Sequence, residues 1–87
     1  MSIVLTSRLD TAAAAPLQRA LKKLVEQAQP IAIDGSGVDQ IGQACLQVLA
    51  AARAAALANG LSYQVSGASV ALVEAGGLAA LDILAAA

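Results

Sequence analysis

The stretch from Ile31 to Leu49, IAIDGSGVDQIGQACLQVL, decides how the rest of the chain folds. A short apolar run ends at Asp34, and a loop rich in Gly and Asp follows from Asp34 to Ile41. Gly42 then opens a segment whose apolar residues recur at helical spacing, predicting a helix from about Gly42 to Ala58. Along it Cys45, Val48, Leu49, Ala52 and Ala56 line one side, and Asn59–Gly60 supplies a stop in which Gly takes φ > 0. A strand that delivers a loop and then a helix N-terminus is where α/β domains place their chemistry or their contacts. Ile31, Ala32 and Ile33 show no polar alternation, which predicts a strand covered on both faces.

Working outward, Ile3–Leu5 is a short β-branched start that predicts a strand. Asp10 and Thr11 offer capping oxygens ahead of an alanine run, and Pro16 suits a first helical turn. Leu17, Leu21, Leu24 and Val25 form one apolar stripe, with Gln18, Arg19, Lys22, Lys23 and Glu26 on the other side. Pro30 ends this helix, and the change to strand falls within 28–32. Downstream, Leu61, Tyr63 and Val65 alternate with Ser62 and Gln64, the pattern of a third strand. The chain then turns over 66–69, and Ser69 caps a helix that reaches Ala75 before Gly76–Gly77 breaks it. Leu78, Leu81, Ile83 and Leu84 make a last apolar segment expected to pack back. The order β-α-β-α-β-α predicts a single α/β domain with a mainly parallel sheet.

Composition narrows the function. The chain has 87 residues, enough for one domain with a modest core. One aromatic, Tyr63, leaves that core to Leu, Ile and Val, with Ala permitting close approach of helix and sheet. Charged residues are only 13%, so the weakly charged surface favours association with itself or with a partner. Five basic against six acidic residues, with no basic run, argue against nucleic-acid binding. No histidine and one cysteine leave a transition metal without ligands, so no metal or other cofactor is expected. The lone cysteine also excludes an intrachain disulfide and fits a reducing compartment. The N-terminus lacks the basic lead and long apolar run of a signal peptide. The uncharged window from Ala54 to Val73 is long enough to span a bilayer, but two turn clusters interrupt it. A soluble, cytoplasmic protein without membrane insertion is the expectation.

Three groups merit weighing as chemistry. Gly35-Ser36-Gly37 resembles a fragment of a phosphate-binding loop but lacks both full nucleotide fingerprints, so a tight turn after a buried strand is the simpler account. Cys45 falls in the first turn of its helix, where the macrodipole lowers a thiol pKa. It nevertheless belongs to the apolar stripe, and no histidine exists to serve as its base. Asp10, Asp34 and Asp39 would meet only if they lie near strand ends on one edge of the sheet, and capping and loop hydrogen bonds account for all three. No catalytic residue is assigned, and the chain is not expected to be an enzyme.

Taken together, the motifs resemble the STAS domain family, the fold of bacterial anti-sigma factor antagonists and of the cytosolic ends of sulfate transporters. Arg8-Leu9-Asp10 with Pro16-Leu17 is similar to the family's first element. Asp34-Gly35-Ser36-Gly37-Val38-Asp39-Gln40-Ile41 is similar to the first half of its signature D-[LA]-S-[GA]-V-x-x-[ILV]-D-[ST]-[SA]-G-L-x-x-L, and Gly42 to Leu49 follows the second half in spacing and apolar pattern. Ser69 to Leu78 resembles the family's last helix. The leading strand pair of the family looks shortened here. In the antagonists the signature's Asp-Ser or Asp-Thr puts a phosphorylatable hydroxyl at the helix N-terminus, facing a partner kinase. Here Gly42 stands at the acidic position and Gln43 at the hydroxyl position, a degenerate phosphosite, while Cys45 replaces a glycine.

The resemblance implies a non-enzymatic bacterial signalling adaptor that binds a histidine kinase or anti-sigma-type kinase without a phosphorylatable switch. The segment GQACLQVL is similar to the short STAS proteins of chemotaxis systems. The partner is expected on the loop from Ser36 to Ile41 and the first turns of the second helix. Gln43, Ala44 and Gln47 are the contact candidates, with Asp39 and Gln40 at the rim and Ser36 at the start of the docking loop. The alternative setting is an accessory subunit of an ABC-type lipid transporter that binds its ATPase, although those members usually keep a Thr where Gln43 stands.

Overall fold

A computed structural model of the chain describes residues 2–78. Its first long element, α1 (Thr11–Glu26), starts where the sequence supplies a cap: the Asp10 carboxylate accepts the Ala13 N–H at 3.1 Å. Leu17 and Leu21 are buried and Leu24 and Val25 half-buried, so the apolar stripe faces the core. Pro16, expected in the first helical turn, is instead the sixth helical residue. Lacking an N–H, it leaves the Ala12 carbonyl without its intrahelical partner, a loss the exposed face tolerates. The helix ends before Pro30 is reached. Gln29 N–H bonds back to Leu24 C=O at 2.9 Å and Ala28 N–H to Val25 C=O at 3.0 Å, a Schellman closure with Ala28 at φ 53°.

Three parallel strands form the main sheet in the order β1 (Ser2–Val4), β3 (Ile31–Asp34), β5 (Tyr63–Ser66). Ile3 lies beside Ile33 and Ile33 beside Val65, while Ile31 pairs with Tyr63. These side chains share one face, and Ile31, Ile33 and Tyr63 are buried on it. Both crossovers step in the same direction across the sheet, so right-handed connections put α1 and α2 (Gln43–Ala58) on this same face. Val4, Ala32, Gln64 and Ser66 point the other way and are exposed or half-exposed. The strand from Ile31 is therefore closed on one face among the described residues, not on two. Its lack of polar alternation comes from Ala32, which is too small to signal which side it takes.

A second, two-stranded parallel sheet joins β2 (Arg8–Leu9) to β4 (Gln40–Ile41), with Arg8 opposite Gln40 and Leu9 opposite Ile41. The stretch from Asp34 to Ile41 is thus not wholly loop: Asp34 closes β3 and its last two residues are strand. Each strand of this pair runs directly into a helix through one capping residue, Asp10 for α1 and Gly42 for α2. Their pairing brings the two helix N-termini side by side. Gly42 N–H donates to Leu9 C=O at 2.8 Å, and the Cys45 thiol lies 3.4 Å from Asp10 C=O.

The far end of α2 closes as the sequence predicts. Gly60 takes φ 68°, and Leu61 N–H reaches Ala56 C=O at 2.8 Å. Leu46 joins Cys45, Leu49, Ala52 and Ala56 in the core, and Val48 is only half-buried. Helix α3 (Val70–Leu78) is capped by Ser69, whose Oγ accepts the Leu72 N–H at 3.1 Å and donates to Val38 C=O at 2.6 Å. It continues through Gly76 and Gly77, where a break was expected. Two glycines cost a helix about 1 kcal/mol each without forbidding it. The apolar positions Leu81, Ile83 and Leu84 lie outside the described residues.

Candidate partner-binding site

The β2–β4 pair and the two helix starts it carries build the surface on which the signature residues gather. Arg8, Leu9, Asp10, Thr11, Gln40, Ile41 and Gly42 line an open depression of about 500 Å³. A second, beside it, is lined by Ser7, Arg8, Asp39 and Gln40. Asp39 and Gln40 are held in place by their backbone, both N–H groups donating to Ser7 C=O at 2.8 and 3.0 Å. That leaves the Asp39 side chain in solvent, while Gln40 Oε1 accepts the Arg8 Nε–H at 3.3 Å. Sequence reasoning did not single out Arg8 as a surface residue of this site. Only the pairing of two-residue strands brings it against Gln40, and such strands carry no periodicity to detect.

On α2, Gln43 is the first helical residue and is exposed, and Gln47 lies one turn on, on the same face, also exposed. Ala44 between them is half-buried. Gly42 provides no side-chain cap, and the first intrahelical bond runs from Leu46 N–H to Gly42 C=O at 3.1 Å. The helix start therefore presents small or uncharged groups ahead of that bond, which lets another surface approach closely.

Ser36 is placed differently from the other candidates. Its Oγ–H and its N–H both donate to Asp34 Oδ1, at 2.7 and 3.0 Å, and hold the Asp34 carboxyl below its ordinary pKa. It sits against Gly67 in the turn after β5, whose Cβ position would be 3.5 Å from Ser36 Cβ. The buried Val38 separates it in the chain from the Asp39–Gln47 surface.

The resemblance of the Gly35–Gly37 loop to a phosphate cradle does not survive its hydrogen bonds. Gly35 N–H is spent on Ser66 C=O, Ser36 N–H on Asp34, and Val38 N–H on Gly35 C=O. A tight turn does follow the strand, closed by that last bond, but neither Gly35 nor Gly37 has positive φ, so the turn itself does not demand glycine at either position. Gly35 is required for space: a Cβ there would fall 2.5 Å from Leu72 Cδ2 and 3.4 Å from Val65 Cγ1. Gly37 has no comparable crowding, and nothing in the structure explains it.

Cys45 is fully buried and free. Burial first, and the Asp10 charge second, push its thiol above the ordinary value, opposite in direction to the macrodipole effect weighed from sequence. A thiol so placed stays protonated at neutral pH and serves packing. Among the described residues no cluster of three or more acidic or cysteine side chains suits a metal ion. None of the described helices is long and apolar enough to cross a membrane.

Comparison with known proteins agrees with the motifs. The family model described as "Mlab, STAS domain" matches residues 1–86. No curated protein and no solved structure matches the chain. A match running through every element described above, signature segment included, makes the chain a member of the STAS domain family.

Proposed function

We propose that this STAS domain is a non-enzymatic adaptor of a bacterial signalling system that docks on a kinase without a phosphorylation switch of its own. STAS domains are generally regulatory, non-catalytic protein-interaction modules, and that coarse role comes with the family. The observation that carries the finer reading is Gln43. It occupies the family's hydroxyl position as the exposed first residue of α2, behind a Gly42 that lacks the family's carboxylate. Phosphorylation at that position would add a charge of about −1.5 to −2 and change binding by repulsion or new pairing. Glutamine keeps the shape of the helix start and removes that control. The contact surface comprises Gln43, Ala44 and Gln47, with Asp39 and Gln40 at its rim and Ser36 outside it, and chemotaxis is the setting to which the segment GQACLQVL is similar. The complex is cytoplasmic in this reading.

Isolation of the complex from the native cell, followed by assay of the recovered kinase with and without this protein, tests the proposal. Gln43→Arg places a long cation at the centre of the contact and is expected to weaken capture at least about ten-fold, the effect of roughly 1.4 kcal/mol. Undiminished capture by the variant would remove the surface from consideration. Recovery of an ABC-type ATPase with its permease, and no kinase, would replace this reading with the lipid-transporter accessory subunit.

A further inference from the structure

We draw no further inference here: the strongest candidate, the open depression beside the starts of α1 and α2 where Arg8 is held against Gln40, belongs to the partner-binding site already described, and nothing in the structure shows what group would fill it.

Discussion

Ala28 and Gly60 occupy the same place in two copies of the same motif, and the chain solves one well and the other poorly. Each is the left-handed residue that closes a helix, at φ 53° and 68°. An L-residue with a Cβ pays roughly 1–2 kcal/mol for that conformation, whereas glycine adopts it freely. Glycine also costs about 0.4–1 kcal/mol in unfolded-chain entropy, so the two terms partly offset. Ala28→Gly is expected to raise stability by about 0.5–1 kcal/mol in urea denaturation, and Gly60→Ala to lower it by a similar amount. Nothing lies within 4 Å of a Cβ at position 60, so the second change tests conformation alone. Cys45 allows another test at this scale. Its buried thiol is expected to resist alkylation by iodoacetamide at pH 8 in the folded protein and to react promptly in 6 M guanidinium. Comparable rates in both conditions would show that the helix start opens readily.

At the scale of elements, the union of α3 with the end of β3 is the contact on which the signature loop depends. Leu72 is completely buried over Gly35, and Ser69 ties the same turn to Val38. Gly35→Ala is expected to cost about 1–3 kcal/mol by overpacking, and Leu72→Ala about 2–5 kcal/mol by leaving a cavity. Combined, they should cost less than their sum, because the new methyl group enters the space the leucine vacates. A double-mutant cycle by chemical denaturation measures the difference, and strict additivity would show that the two residues do not share that space. This contact also marks where reading the sequence stops. The long helices were legible because Leu17, Leu21, Leu24 and Val25, or Cys45, Leu49, Ala52 and Ala56, repeat at 3.6, and because Asp10 and Gly60 are strong end signals. β2 and β4 were not, since two residues show no period and their pairing spans the whole of α1. Gly35 looked like a turn glycine because a sequence shows conformational freedom but not the approach of Leu72 from 37 residues downstream. Of the site, Gln43, Ala44 and Gln47 could be placed from helix register alone. Arg8 could not, being defined by its strand partner Gln40.

For the molecule as a whole, the core has a chemical weak point that predicts how it fails. Among the described residues no charged side chain is buried, and the core is Leu, Ile, Val, Ala, Cys45 and a single Tyr63. Acid therefore has little to act on inside it. Alkali does. Burial pushes the Tyr63 phenol from 10 up to about 12, with the Arg53 charge pulling weakly the other way, and burial raises Cys45 above 9.0 as well. Both groups are raised in the folded state, so their contribution to stability is complete below the unfolded values and disappears as pH climbs through the folded ones. For the tyrosine alone, ionisation of the unfolded chain ahead of the folded one removes about 1.4 kcal/mol by pH 11 and about 2.7 kcal/mol once both states are ionised. Domains of this size hold on the order of 5–10 kcal/mol in total, so the loss is a substantial fraction. The urea midpoint is expected to be flat from pH 7 to about pH 8, to begin falling as the unfolded thiol ionises towards pH 9, and to fall further between pH 9 and pH 11 as the phenol follows. Tyr63→Phe should remove the phenol's share of that slope and leave the share of Cys45, whatever it does to stability at neutral pH. A slope unchanged in the variant would deny Tyr63 its part in the alkaline sensitivity.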